Sequence, residues 1–308
     1  MLQASRQIFW LTLAILFVFR SHVALAAMTS TNYKINWDEF SSGGGTGASA
    51  SYQLRDSASS SGAATRSSSA SYAIDQGFRA GVYDSVVDFV PYVEDRSTQV
   101  AATAFTTLPL VVTVTTASGF AVNDWIVIVQ DEGASQATAM AQISNIAGSV
   151  LTLRSSYSGS TPVIDGSNDY VYRMSPTASI SLGTLSTSSV TTHIIGWVST
   201  ADVPQGFSMY MFANGEFTDG VNTIPGVADG AVSVGVNEYG GRSSDSTLAT
   251  STFDTVDTAF TTEPVLVGST SSTAFSSSGF VTLKTAIASS QVAGTYAQTL
   301  TTIFVGDY

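Results

Sequence analysis

The sequence predicts an all-β protein, and three observations support this prediction. Runs rich in Val, Thr and Ile alternate with short clusters of Gly, Ser, Asn and Asp, which is the pattern of short strands joined by turns. After residue 26, no segment repeats its apolar residues at the 3.6-residue period of an amphipathic helix. Charged residues make up only 11% of the chain, but apolar and aromatic residues recur regularly, which indicates a packed core rather than disorder.

Residues 1–26 predict a secretory signal peptide. Arg6 precedes an apolar run from Ile8 to Phe19, and the small residues Ala24 and Ala26 suit signal peptidase. The run is shorter than the roughly 20 apolar residues that span a bilayer. We therefore expect cleavage after Ala26, a secreted or cell-surface location, and no membrane span in the mature chain.

Residues 27–96 form a predicted N-terminal region with a strand repeat. The pattern Tyr-x-aliphatic occurs three times, at spacings of 19 and 20 residues, with Ser- and Gly-rich stretches such as 41–45 and 59–62 read as flexible loops. Within a strand, residues two apart lie on the same face. The repeat is either a meander packed on its own chain or an arm that pairs with a neighbouring subunit's open sheet edge. In the second interpretation the assembly contacts are Tyr33, Ile35, Tyr52, Leu54, Tyr72 and Ile74.

Residues 97–175 predict a small barrel-like β module. Leu110–Val114 has the composition of a strand, and Trp125–Val129 is apolar on both faces, as in a fully buried strand. A hairpin follows over residues 141–153. The segment resembles small barrel-like modules of bacterial surface and phage-tail proteins, with the motif Gly-Phe-x-x-Gly-Asp before an apolar strand. Here Asn123 stands in place of the second Gly. The resemblance implies an architectural role.

Residues 176–308 predict an immunoglobulin-like β-sandwich. Val190–Val198 and Gly206–Phe212 have the composition of strands, and the chain closes with the run Ala293–Phe304. In that run Leu300 and Phe304 share one face, whereas Ile303 lies on the other. Seven to nine strands over about 130 residues suit a two-sheet sandwich.

Short motifs in this third segment carry a family resemblance. Leu182–Thr187, Val203–Ser208 and Ala293–Tyr296 are similar to uncharacterised secreted β-sandwich surface proteins of candidate-phylum bacteria, which also carry Tyr-x-aliphatic repeats. The Ala-Gly-Thr-Tyr ending is also similar to WxL-type wall-binding domains and pilin-like subunits. The Trp-x-Leu motif of those wall-binding domains is missing, since Trp125 is followed by Ile126 and Val127, and Trp197 by Val198 and Ser199. The resemblance implies a secreted surface protein.

Composition excludes several classes of function. Without the predicted signal peptide the chain has 9 basic and 23 acidic residues, a net charge of −14. Nucleic acids and anionic lipids bind clusters of Lys and Arg, so we expect no nucleic-acid partner. The chain has no cysteine, so disulfides and thiol chemistry are absent.

Catalytic constellations are sparse. His193 is the only histidine after residue 26, and no Gly-x-Ser-x-Gly elbow accompanies it, so we interpret His193 as a satisfied or surface strand residue without a catalytic role. A glycosidase needs only two facing carboxylates. The candidates for such a pair are Glu216, Asp219, Asp229, Glu238 and Glu263.

Two further binding sites are open to interpretation. Asp165, Asn168 and Asp169 form the densest oxygen-donor turn and are the candidate ligands for calcium, although their spacing is not that of an EF-hand loop. An ordinary turn stabilised by its own Asp and Asn side chains is the alternative. A second set of side chains either stacks on a glycan or packs across strands. This set comprises Tyr157, Tyr170, Tyr172 and Tyr239.

The sequence therefore predicts a secreted, non-catalytic cell-surface protein with a structural or adhesive role and no cofactor, calcium being the one candidate ion. Its expected partners are further copies of itself, other surface proteins or a glycan. The alternative is an extracellular carbohydrate-binding module or a carboxylate-based glycosidase. Uncovered strand edges favour the first prediction, and an exposed aromatic strip beside two facing acids favours the alternative.

Overall fold

The computed structural model describes residues 86–307 and, before them, the backbone of four short strands. Every regular element that it describes is a β-strand, which confirms the all-β prediction. The chain divides into two compact units, Met1–Asp84 and Ser85–Tyr308. In the described part of the chain, no helix is long and apolar enough to cross a membrane.

The N-terminal unit contains two hairpins. β1 (Thr29–Ser30) pairs with β2 (Tyr33–Lys34), and β3 (Gly44–Ser49) pairs with β4 (Tyr52–Ser57) over six residue pairs. The first two copies of the tyrosine repeat thus contain strands. The prediction of a loop through residue 45 is wrong at its end, because pairing with β4 draws Gly44 and Gly45 into a strand. The signal peptide, Ile35, Tyr72, Ile74 and the loop at residues 59–62 lie outside the described residues.

Six strands of the C-terminal unit form a partial ring. They pair antiparallel in the order β5–β6–β9–β8–β7–β10, and β10 pairs in turn with β5. Alternate residues of these strands, including Val112, Ile126, Ile128 and Leu151, fill the ring with a buried apolar core. The strands are β5 (Val87–Thr107), β6 (Leu110–Val114), β7 (Trp125–Gln130), β8 (Ala137–Ala147), β9 (Val150–Gly159) and β10 (Tyr170–Ser175).

The remaining strands extend the large sheet and build a smaller one. β5, β11, β17 and β15 form a four-stranded face of the large sheet, and β16, β12 and β18 form the smaller sheet. Residues 293–299 of the predicted closing strand are not part of it, because Ala297 bonds instead to Thr218 of the short β13–β14 hairpin. The strands are β11 (Thr191–Ala201), β12 (Phe207–Ala213), β13 (Phe217–Thr218), β14 (Thr223–Ile224), β15 (Glu238–Ser243), β16 (Val265–Thr270), β17 (Ala274–Ala286) and β18 (Leu300–Gly306).

β5 belongs to both parts of the unit. Its first residues pair with β11, and the rest pairs with β10 and β6. The predicted domain boundary between residues 96 and 97 therefore falls inside one continuous strand of 21 residues. The chain does not break there because the same strand supplies an edge to the four-stranded face and a wall to the ring.

Two apolar layers explain why the predicted strand Trp125–Val129 has no polar face. Ile126 and Ile128 point into the ring, whereas Val127 and Val129 pack against Ile194 and Phe280 of the four-stranded face. A third core lies between the four-stranded face and the smaller sheet, and includes Trp197 and Met209. The strand is thus buried on both faces, as predicted.

Candidate functional site

Sheet edges are where a β protein can pair with another chain, because an edge strand leaves one row of backbone N–H and C=O groups unpaired. The four-stranded face ends in β15 and in the first residues of β5, and the smaller sheet ends in β16 and β18. Residues of an antiparallel strand bond alternately to one side and the other. The register of each pair therefore identifies the backbone groups that point outward.

The edge of β15 is covered by loop backbone. Its three outward N–H groups all donate hydrogen bonds to carbonyl oxygens of neighbouring loops, at 2.7 to 3.0 Å. No outward N–H of this strand is left for another chain. The donor and acceptor pairs are Tyr239 with Pro225, Gly241 with Thr258, and Ser243 with Phe253.

The edge of β16 is capped by side chains. The Asp245 carboxylate accepts a hydrogen bond from the backbone N–H of Ser269 at 2.9 Å. The Ser243 hydroxyl donates to the carbonyl oxygen of Val267 at 2.6 Å. Both side chains come from the end of β15 and the residues that follow it, so the two edges on this side close against each other.

The first residues of β5 are guarded in another way. Asp202 donates its N–H to the carbonyl oxygen of Val86 at 2.9 Å, so even-numbered residues of β5 bond β11 and odd-numbered residues point outward. The outward N–H of Phe89 donates to the carboxylate of Asp88 at 2.9 Å. The next outward position is Pro91, which has no N–H. Proline and charge on an edge both discourage pairing with another strand.

Among residues 86–307, no such protection covers the edge of β18. Asn214 donates to the carbonyl oxygen of Thr299 at 3.0 Å, and Asp307 donates to that of Gly206 at 2.9 Å, so the odd-numbered residues of β18 bond β12. The even-numbered residues point their N–H and C=O groups away from β12. None of these groups has a hydrogen-bond partner among the described residues. They belong to Leu300, Thr302, Phe304 and Gly306.

The composition of β18 also favours pairing. Residues 285–306 contain no charged residue and no proline. The burial alternates as the sequence predicted, with Leu300, Thr302 and Phe304 half-buried and Ile303 and Val305 exposed at 39% and 42%. β18 is therefore an apolar edge strand whose outward backbone groups are open in the described structure.

β18 lies beside the guarded start of β5. The Phe304 ring stacks on Phe89, with centroids 5.6 Å apart and an interplanar angle of 15°, and lies 4.8 Å from the Phe207 ring. A β-carbon built on Gly306 would come within 2.9 Å of a methyl group of Val87. We call this surface, β18 together with residues 87–91 of β5, the seam.

A separate cluster of charges surrounds the half-buried Arg96. The Arg96 guanidinium lies 3.2 Å from the Glu94 carboxylate and 2.7 Å from the Glu132 carboxylate, and donates to the carbonyl oxygen of Thr192. The Tyr172 hydroxyl donates to the second oxygen of Glu132 at 2.8 Å. Each carboxylate is thus paired with the guanidinium, and Glu94 is buried, which points to a structural role.

Burial shifts the pKa values in this region. Desolvation raises the pKa of Glu94 to about 7, although the positive charge of Arg96 opposes the shift. Desolvation lowers the pKa of His193 to about 4, and the charge of Arg96 lowers it further. His193 is buried, and its Nδ1 has no partner in the described part of the chain. The surface alternative for His193 is therefore wrong, because β11 and its neighbours enclose it. That His193 has no catalytic role stays a prediction.

Lys284, a buried cation, holds the same loop. Lys284 Nζ lies 2.9 Å from the Asp257 carboxylate and donates to the carbonyl oxygen of Ala134 at 2.8 Å. Ala134 and Glu132 both belong to the loop between β7 and β8. Arg96 and Lys284 therefore fasten this loop of the ring to the four-stranded face.

The candidate calcium ligands meet in one turn. Asp169 is 2% exposed, and its two carboxylate oxygens accept the N–H groups of Asp131, Asp165 and Gly166 at 2.9 to 3.0 Å. Asn168 donates its amide to a backbone carbonyl oxygen of the β7–β8 loop at 2.7 Å. These contacts stabilise the turn. Over residues 86–307, no group of three or more His, Asp or Glu side chains is placed to hold a metal. Calcium binding stays a prediction.

Three of the carboxylates considered for glycoside hydrolysis have described contacts, and these contacts are hydrogen bonds within local turns. Asp219, Asp229 and Glu238 each accept backbone N–H groups from residues two to five positions away. Two of the candidate tyrosines pack inside the protein, since Tyr172 and Tyr239 are each 1% exposed, whereas Tyr157 and Tyr170 are half-buried. These side chains therefore stabilise turns and cores.

A cleft of about 170 Å³ lies where the ring, β17 and the smaller sheet meet. Trp197, Phe207, Asp245 and several serines line it. Trp197 is only 4% exposed, because its indole packs against Gly268 and Gly279. Asp245 already caps β16. The cleft therefore lacks an open aromatic platform for a sugar ring.

The fold defines an all-β protein with a partial ring and a second, smaller antiparallel sheet. No known family model matches the chain, and no curated protein and no solved structure is significantly similar to it. The resemblance to secreted surface proteins stays a prediction.

Sequence analysis missed the residues that distinguish the four edges. Asp88, Pro91 and Asp245 were not singled out, because their roles depend on which strands lie beside them. The absence of charge over residues 285–306 is the signal that could have indicated an unprotected edge.

Proposed function

We propose that the protein is a secreted, non-catalytic surface protein with a structural or adhesive role, and that it self-assembles by strand addition through residues 29–83. The observation that carries this proposal is the contrast between β18 and the other three edges. β15 is covered, β16 is capped, β5 is guarded, and β18 offers an apolar row of outward backbone groups. Strand addition uses both backbone hydrogen bonds and side chains at alternate positions.

The finer architecture fits this role. We propose that the ring is a small barrel-like module and that the two facing sheets are an immunoglobulin-like sandwich. The pairing order and the filled apolar interior of the ring support the first assignment. The shared core of the facing sheets supports the second. Both would be rigid supports for an edge that recruits a partner.

The proposal is tested with two forms of the protein, the mature chain and a variant that lacks residues 29–83. We expect multimers of the mature chain in light scattering and a folded monomer of the variant, because residues 85–308 form a compact unit with their own cores. A mature chain that stays monomeric at high concentration, or a deleted variant that still assembles, would overturn the proposal.

A further inference from the structure

We infer that the seam is the docking site of this assembly and that its occupant is one strand from residues 29–83 of a second copy. This inference rests on the proposed function and assigns its receiving surface. The added strand pairs with β18 and leaves β5 unpaired on that side.

The backbone of the seam accepts a strand on one side only. β18 presents outward N–H and C=O groups at every second residue over a strand of seven residues. On β5, Pro91 lacks a donor, and the N–H of Phe89 is already bonded to Asp88. A partner strand therefore gains a regular ladder on β18 and no comparable ladder on β5.

The side chains of the seam favour an added strand that has an apolar residue at every second position. Leu300, Thr302 and Phe304 face the core from β18, and Phe304 stacks on Phe89. A strand added to β18 places alternate side chains beside these residues. The Tyr-x-aliphatic repeat has an aromatic and an aliphatic residue at that spacing. Aromatic and aliphatic cross-strand neighbours are the favourable pairs on such a surface.

Charge favours the N-terminal region as the occupant. Residues 85–308 contain 5 basic and 18 acidic residues, a net charge of −13, so two such units repel each other. Residues 29–83 contain four basic and four acidic residues and are neutral overall. A neutral segment can approach the acidic unit of another copy without this repulsion.

Each described hairpin of the N-terminal unit is a sheet of only two strands. β3 and β4 form a sheet of two strands, and β3 contains three glycines in six residues. Two-stranded hairpins are marginally stable in water, and glycine weakens them further. Among the described strands, β4 pairs with β3 alone. Addition to β18 would place such a strand in a larger sheet.

One donor segment and one receiving edge per chain make the contact heterologous. Each copy then uses its own seam and its own N-terminal region on different neighbours. Heterologous contacts produce rings or open chains of subunits. An open chain of this kind is polar, and capping either of its ends stops its growth.

The test separates donor from receiver in two variants. Thr302→Pro removes an outward N–H from the middle of β18 and leaves the bonds of residues 301 and 303 to β12. This variant therefore keeps the N-terminal segment that is donated and loses the β18 edge that receives it. Deletion of residues 29–83 keeps the receiver and loses the donor. Each variant alone should be monomeric, and an equimolar mixture should form a one-to-one complex in light scattering. Thr302→Val, which keeps the outward N–H, should assemble like the unaltered mature chain.

Three outcomes would overturn the inference. If Thr302→Pro assembles like the unaltered chain while the deletion does not, the receiver lies elsewhere and the proposed function stands. If both variants are monomeric and the mixture also stays monomeric, the N-terminal region does not dock on a second copy at β18. If the unaltered mature chain is monomeric, the proposed function fails as well. Circular dichroism checks the fold of each variant. Amide exchange at Thr302 and Phe304 of the unaltered mature chain tests the same contact without a substitution in β18, so misfolding of one variant does not decide the result.

Discussion

β5 and β18 lie next to each other at one side of the facing sheets. The outward edge of β5 is blocked against pairing with another strand, whereas that of β18 is open among the described residues. In β5 the outward positions hold Pro91 and a Phe89 N–H that is occupied by Asp88. In β18 the outward groups have no described partner, and no charge or proline interrupts residues 285–306. Two adjacent edges of similar apolar character therefore differ through two residues of β5.

The opposite side of the sheets shows that protection is the rule in this chain. There β15 is covered by loop carbonyl groups, and Asp245 and Ser243 cap β16. Natural β proteins block their edges because open edges recruit other chains. Within the two facing sheets of the described C-terminal unit, β18 is the one edge without described protection and the other three edges have it. This contrast is therefore the feature that most strongly indicates a docking role.

The largest expected effect comes from removing the protection of β5. The double substitution Pro91→Val and Asp88→Ala gives this strand free outward N–H groups at positions 89 and 91. We expect disordered aggregates much larger than those of the unaltered mature chain, measured by light scattering and electron microscopy. Asp202→Ala is the matched control, since it removes an exposed carboxylate near the same strand end without freeing an edge donor. Unchanged assembly of the double variant would show that proline and charge do not protect β5.

A smaller effect is expected at the capped edge. Asp245→Ala leaves the N–H of Ser269 without its charged acceptor, and such a hydrogen bond contributes about 2 kcal/mol. Chemical denaturation should show a loss of that order in the free energy of unfolding, with a modest rise in aggregation. Asp254→Ala is the control, because no described hydrogen bond uses that side chain. Equal stability of the two variants would contradict the capping role of Asp245.

Sequence reasoning anticipated the strands better than the edges. Local apolar patterns predict β6, β7, β11 and β12, and the apolar run Trp125–Val129 predicts that β7 is buried on both faces. The roles of Asp88 and Asp245 could not be predicted in this way, because they depend on strand neighbours far away in the sequence. The Arg96 cluster was missed for the same reason: Glu132 reaches it from another loop.

The buried charges should change stability with pH and leave assembly unchanged. The pKa of Glu94 is raised to about 7, so the folded state binds more protons there, and stability falls as pH rises from about 4.5 to 7. The pKa of His193 is lowered to about 4, so stability rises as pH increases from about 4 to 6.5. The two slopes oppose each other in the unaltered protein.

Each slope can be isolated by one substitution. In His193→Gln, thermal unfolding should show stability falling from pH 4.5 to 7, and in Glu94→Gln it should show stability rising from pH 4 to 6.5. Multimer size at neutral pH should stay within a few-fold of that of the unaltered chain for His193→Gln. A parallel pH dependence in both variants would contradict the assigned shifts, and loss of assembly in a folded His193→Gln protein would give this residue a role outside the core.

Residue-resolved amide hydrogen exchange in β18 tests the central claim most directly. In the monomer that lacks residues 29–83, the N–H groups of Thr301, Ile303 and Val305 should be protected by β12, whereas those of Thr302 and Phe304 should exchange rapidly. In the assembled mature chain, Thr302 and Phe304 should become protected as well. Equal exchange at these two residues in both forms, or protection already present in the monomer, would contradict an open edge that is filled on assembly.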